Sequence, residues 1–141
     1  MDDNKFIIPI LIVIVFSFIG FVIEYLNECL FGSYCKTHYS HFKLFKTLPF
    51  LPIYGIGALI LYYSTSYLST NFNIIEQFGI ILITLTIFEL ICGYIGEMVN
   101  GVKSWQYKNG YYIELKHSFV FAVLGFLTFK VFEYNINIIN K

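Results

Sequence analysis

Charge is what this chain has least of. Only 13% of its 141 residues are Asp, Glu, Lys or Arg, against roughly 25% in an ordinary soluble domain. Arginine is absent, and nine lysines balance nine acidic residues, so the formal net charge is zero. With no basic surplus there is no electrostatic footprint for a phosphate backbone, and nucleic acid is excluded as a partner. The three cysteines, Cys29, Cys35 and Cys92, form no C-x-x-C pair and no metal-ligand spacing. His38, His41 and His117 stand at no recognisable ligand interval, so no metal and no cofactor is expected. H-E-x-x-H, a Ser–His or Cys–His arrangement, and G-x-x-x-x-G-K-S/T are all missing. Their absence removes the usual signatures of a zinc hydrolase, a covalent-nucleophile enzyme and a P-loop ATPase. There is also no lipidation or retention motif.

What is present is apolar. Hydrophobic residues make up 57% of the chain and aromatics 21%, and the mean hydropathy is +0.70. So few charges cannot cover a water-facing surface of this size. The composition predicts an all-α integral membrane protein, with membrane lipids as its surroundings. A span needs roughly 20 mostly apolar residues. Four stretches qualify, at 6–26, 48–67, 75–99 and 117–134, and predict one transmembrane domain of four helices. The first follows Asp2 and Asp3 and precedes no small-residue cleavage site, so it is expected to be a retained helix. Lys130, near the end of its span, can snorkel toward water. Glu89 lies too deep in its span to do so.

The lysines divide by loop. Lys36, Lys43 and Lys46 lie between the first two spans, and Lys103, Lys108 and Lys116 between the last two. The middle connection, "STSYLSTNFNIIEQ", has none and reads as polar and featureless. The positive-inside rule then predicts that the two lysine loops are cytoplasmic and both termini are not.

Two stretches align internally. "GFVIEYLNECLFGSY" matches "GYIGEMVNGVKSWQY", pairing Gly20 with Gly93, Glu24 with Glu97, Asn27 with Asn100, and Tyr34 with Tyr107. Each closes a helix and enters a lysine-bearing loop. The chain therefore reads as two parallel helix–loop–helix repeats, an organisation some transporters use.

Four features are candidates for function. Glu89, Gly93 and Glu97 follow i, i+4, i+8 spacing and share one helical stripe, and Gly93 admits a neighbouring helix between the carboxylates. A charge at membrane depth costs several kcal/mol, on the order of 3 or more, unless paired, protonated or hydrated. Glu89 is thus either the deep end of a polar cavity or a neutral acid hydrogen-bonded to another helix. Glu24 and Glu28 end the first span on the same side as Glu97, where the three could gather a cation or pair with lysines. "PFLPIYGIG" opens the second span. Pro52, Gly55 and Gly57 permit either an unwound segment lining a cavity or a close helix contact. In "SWQYKNGYYIELKHS", Asn109-Gly110 predicts a tight turn, and the aromatics suit an interfacial belt. All four features fall on the lysine-loop side, which predicts a polar, glutamate-lined cavity open to the cytoplasm.

These residues resemble a known family. "PIYGIG" at 52–57 (which holds Tyr54), E-x-x-x-G-x-x-x-E at 89–97, and Trp105-x-Tyr107 followed by Gly110 and Ser118 are similar to the ABC-transporter type IV, CmpB-like membrane proteins. Small transmembrane-protein-229-type proteins look alike. The resemblance covers about Gly20 to Gly125. It implies a fold more than a reaction, and any ATPase would be a separate chain. The family pattern carries an acidic residue between Trp and Tyr and a serine after them; Gln106 and Lys108 stand there instead. Whatever that acidic residue does in relatives is not carried over.

The ligand- or ion-binding candidates are Glu24, Glu28, Glu89, Glu97, Tyr54, Trp105 and Tyr107, with Pro52, Gly55, Gly57, Gly93, Gly110 and Ser118 as structural positions. Three function classes fit them. The foremost is a small transporter-like or transport-accessory subunit, acting as a homo-oligomer or with a separate partner subunit. The others are an intramembrane lipid-modifying enzyme using Glu89 or Glu97 as base, and a non-catalytic assembly subunit.

Overall fold

The computed structural model describes residues 4–31, 52–101 and 110–139. Four helices account for nearly all of them: α1 (Asn4–Phe31), α2 (Pro52–Asn71), α3 (Ile74–Asn100) and α4 (Leu115–Ile139). No strand occurs among the described residues. The all-α class predicted from composition holds.

Local chemistry sets the helix ends. α2 opens on Pro52, whose missing N–H is harmless in a first turn. It continues to Asn71, a turn beyond the predicted limit at 67, so the long middle connection contracts to Phe72 and Asn73. Asn73 caps α3: its side chain accepts from the backbone N–H of Ile75 at 3.0 Å and of Glu76 at 3.1 Å. The Glu76 carboxylate accepts the Asn73 N–H at 2.9 Å in return, completing a capping box. At the other end of α3, Gly101 adopts φ 68°, and its N–H donates to the Glu97 carbonyl at 2.8 Å. That left-handed conformation is open to glycine without the strain a Cβ brings.

α2 is the hub. It packs against α1, α3 and α4, and α3 packs against α4, while the α1 backbone meets only α2. The core draws on all four helices: Ile12 from α1, Ala58, Leu61 and Leu68 from α2, Ile81 from α3, Phe129 and Phe132 from α4. Phe132 receives the ring edges of Phe16 and Tyr62 at 5.6 and 5.5 Å between centroids. Outside this core the surface is apolar. Phe6, Ile10, Leu11, Ile14, Ile83, Ile87, Phe119 and Leu127 are all exposed. Apolar exposure on this scale needs a hydrocarbon environment.

Three of the four helices are long and apolar enough to cross a membrane, over Phe6–Glu24, Ile74–Val99 and Leu115–Ile136. The four-span expectation is met in part, because α2 falls short of that standard. Its second half is rich in Tyr, Ser and Thr. Ser64, Thr65, Ser69 and Thr70 return their hydroxyls to the helix itself: Thr65 donates to the Leu61 carbonyl at 2.8 Å and Thr70 to the Ser66 carbonyl at 2.8 Å. A helix flanked on three sides by protein can carry such residues, since hydroxyl–carbonyl bonds remove most of the penalty of burying them.

The end of the bundle at the α2–α3 turn is more organised than the sequence suggests. Gln77 is only 4% exposed. Its amide donates to the Phe72 carbonyl at 2.8 Å and accepts from Lys130 Nζ at 2.9 Å. Lys130 also pairs with Glu133 at 2.7 Å and lies over the Phe126 and Phe129 rings. Lys130, still partly exposed, thereby links α4 to the turn.

Gly55 fixes the α1–α2 contact. A Cβ there would overlap Ser17 Oγ and the Val13 carbonyl oxygen, so of the two readings of the Pro-Gly segment the close helix contact is the one observed. At Gly79, by contrast, nothing lies within 4 Å of an added Cβ. We therefore expect Gly55→Ala to destabilise the protein by about 1–3 kcal/mol through overpacking, and Gly79→Ala to be neutral or stabilising by up to about 1 kcal/mol through helix propensity. Thermal unfolding of both variants in the same detergent checks the contrast.

Candidate functional site

At the end of the bundle opposite the α2–α3 turn, two glutamates are held in the same way by two tyrosines. On α1, Glu24 lies one turn after Gly20. Tyr54, in the first turn of α2, lays its ring over Gly20, where an added Cβ would overlap it. Its hydroxyl donates to Glu24 Oε1 at 2.5 Å. On α3, Glu97 lies one turn after Gly93. Tyr112, just before α4, lays its ring over Gly93, and its hydroxyl donates to Glu97 Oε2. In both cases only a glycine leaves room for the ring against the helix.

The second arrangement borders a cleft of about 480 Å³. α3 supplies Leu90, Tyr94 and Glu97 to its wall, and the segment leading into α4 supplies Tyr111, Tyr112 and Glu114. That segment turns at Gly110, which adopts φ 80°, a conformation that favours glycine. The tight turn expected at Asn109-Gly110 thus has its glycine in place, and Asn109 lies outside the described residues. Tyr94 meets the Tyr112 ring edge-on at 5.1 Å. Glu114 pairs with His117 Nδ1 at 2.7 Å. Tyr112 is only 4% exposed. Burial, and then the hydrogen bond to Glu97, push its hydroxyl from about 10 up to about 12.

Glu89 is 7% exposed, on the same stripe of α3 as Gly93 and Glu97. It is not among the residues that line the cleft; at 1.5 Å per residue it lies about 12 Å deeper than Glu97. Ser118 is 3% exposed on α4, and its hydroxyl has no hydrogen-bond partner among the described residues. Gly57 meets the Phe88 ring at an ordinary 3.6 Å from an added Cβ. Glu24 and Glu97 are not neighbours, because α1 and α3 do not pack together. Each is tied to its own helix pair. Among the described residues, no three of His, Cys, Asp and Glu gather where they could hold a metal. Trp105, Tyr107 and the side chain of Glu28 lie outside the described residues.

Tyr112, Tyr94, Glu114 and Gln77 are the residues the sequence reading missed. The alignment of Gly20 with Gly93 and Glu24 with Glu97 already held the signal. It paired Tyr34 with Tyr107, whereas the tyrosines that reach the glutamates are Tyr54 and Tyr112. Each is the aromatic that directly precedes or opens the next helix, a position that linear alignment does not register.

The Tyr112 hydroxyl generates a pH prediction. Because its folded value is raised, the stability it contributes is complete below about pH 10 and is lost as the pH rises toward about 12. The melting temperature of the wild type should fall through that window. Tyr112→Phe should start lower at pH 8 and lack that part of the alkaline decline. Melting curves from pH 8 to 12, read beside tyrosinate absorbance, check it.

Comparison with known proteins agrees with the resemblance read from the motifs. The model of the Putative ABC-transporter type IV family matches residues 11–141. No curated protein and no solved structure matches the chain. With a family match over nearly its whole length and three helices fit to cross a membrane, the chain is a multi-pass membrane protein that belongs to the Putative ABC-transporter type IV family.

Proposed function

We propose that the protein is a small transporter-like or transport-accessory subunit whose working end is the one bearing the two glutamate–tyrosine pairs. The observation that carries this reading is the Glu97–Tyr112 pair at the cleft, with Glu89 buried below it on the same stripe. A carboxylate at that depth is expensive, and a stripe that leads from it to an open cleft is a route along which a cation or proton could be handed inward. The lysines at 36, 43, 46, 103, 108 and 116 favour a cytoplasmic side for this end, with both termini on the other. The recurrence of glycine, glutamate and tyrosine in the α1–α2 and α3–α4 pairs supports two parallel repeats. α2, 20 residues long and central, is the fourth span. Membrane lipids surround it, and a second copy or a partner subunit completes it.

Native mass spectrometry of the detergent-purified protein beside Glu89→Gln tests this reading. The wild type should retain a specific ligand and the variant should lose it, with the helical content of the two unchanged. Wild type and variant that are equally empty would make Glu89 a structural contact and favour an assembly subunit instead.

A further inference from the structure

α2 meets α1, α3 and α4, and its remaining side is open. Ile56, Tyr63, Ser66, Tyr67 and Thr70 share that side at helical spacing, and all five are exposed. The face differs from those of the other helices. Near mid-span α1 exposes Ile14 and Phe18, α3 exposes Ile83 and Ile87, and α4 exposes Val123 and Leu127, all of them apolar. α2 exposes hydroxyls instead. Tyr63 and Tyr67 keep 65% and 64% of their surface exposed. Ser64, Thr65, Ser69 and Thr70 return their hydroxyls to the helix's own carbonyls. The hydroxyls of Tyr63, Ser66 and Tyr67 make no hydrogen bond among the described residues.

An interfacial belt accounts for tyrosines at a helix end, but Tyr63 stands near the middle of its helix. It lies eight residues before Asn71 and eleven after Pro52, about 12 and 17 Å along the axis. Helical side chains lean toward the N-terminus, which in α2 is the Pro52 end. The two tyrosines therefore lean away from the α2–α3 turn and toward the centre of the span. In hydrocarbon a hydroxyl without a partner is costly, so this face fits protein better than lipid. Charge and symmetry select the protein. α2 contains no Asp, Glu, Lys or Arg. A hydroxyl both donates and accepts, so a hydroxyl face can pair with a copy of itself, whereas a charged face repels its own copy. Copies in one membrane share an orientation, and a two-fold axis along the membrane normal sets each hydroxyl at the depth of its twin.

We infer that the open face of α2 is the contact between two copies of this chain, with Tyr63, Ser66 and Tyr67 exchanging hydroxyl hydrogen bonds across a two-fold axis. This rests on the reading of α2 as the fourth span.

The test uses the full chain, with its three cysteines replaced by alanine, in vesicles of phosphatidylethanolamine and phosphatidylglycerol. Single cysteines are placed at Ser66 and, as references on the exposed faces of α3 and α4, at Ile83 and Leu127. On oxidation Ser66→Cys should form a disulfide-linked dimer, while Ile83→Cys and Leu127→Cys should stay monomeric. Single-molecule photobleaching over a range of protein-to-lipid ratios then gives the dissociation constant of the dimer. The combined variant Tyr63→Phe, Ser66→Ala, Tyr67→Phe removes the hydroxyls and keeps the rings. It should raise that constant about tenfold with helical content unchanged, since all three side chains are exposed and the variant is expected to fold. Equal cross-linking from all three positions, or a combined variant that dimerises as tightly as the wild type, overturns the inference. Monomer at every position overturns it as well, and a water-soluble maleimide then separates the reasons. If Ser66→Cys reacts readily, α2 faces water and the reading of it as a span fails too. If Ser66→Cys is protected, α2 still spans and only the pairing of copies fails, leaving lipid or a different membrane protein against this face.

Discussion

A glycine one helical turn before a glutamate lets an aromatic ring lie flat on the helix and deliver a hydroxyl to the carboxylate. This happens at Gly20, Tyr54 and Glu24, and again at Gly93, Tyr112 and Glu97. Much of one end of the bundle follows from it. The tyrosine must sit where its backbone already faces the glycine, so the start of α2 and the approach to α4 are positioned by the same contact. The carboxylate, in turn, is kept at the helix surface rather than released to solvent. A hydroxyl–carboxylate bond is stronger than a bond between two neutral groups. It ties two helices together at a level where an apolar contact alone would leave the acid without compensation.

The other end is held by different means toward a similar result. Gln77 bridges the carbonyls of the α2–α3 turn and the ammonium of Lys130, and Glu133 completes the charge balance. Polar groups at both ends are thus joined to one another, while Leu61, Ile81 and Phe129 pack in the core alongside the buried Ser17, Thr65 and Glu89. The outer faces are left to aliphatic and aromatic side chains. This division of labour places directional bonds where the chain leaves the helices and non-directional packing where it crosses, which is what a medium without hydrogen-bonding partners demands.

The class and all four helices were legible in the sequence, because long apolar runs leave few alternatives to a helix. The span standing of α2 was not, since only the other three are apolar enough by themselves. The run Tyr62, Tyr63, Ser64, Thr65 and Ser66 counts against it by composition, while in the fold Ser64 and Thr65 turn their hydroxyls back onto the helix's own carbonyls and Thr65 is buried. Hydropathy counts atoms and does not see a neighbour that covers them. The same blindness hid Gln77 and Lys130, each polar in isolation and joined to one another across two helices. In the candidate site, the spacing of Glu89, Gly93 and Glu97 announced a stripe, since helical periodicity is local. Tyr112 and Glu114 could not be found that way: they join the stripe only because Gly110 turns the chain back toward α3.

The two-residue link between α2 and α3 also bears on how the protein is built. A helix with α2's load of hydroxyls partitions poorly into lipid by itself, while α3 partitions well. Joined by Phe72 and Asn73 alone, the two form a single tight hairpin, which the capping box at Asn73 closes.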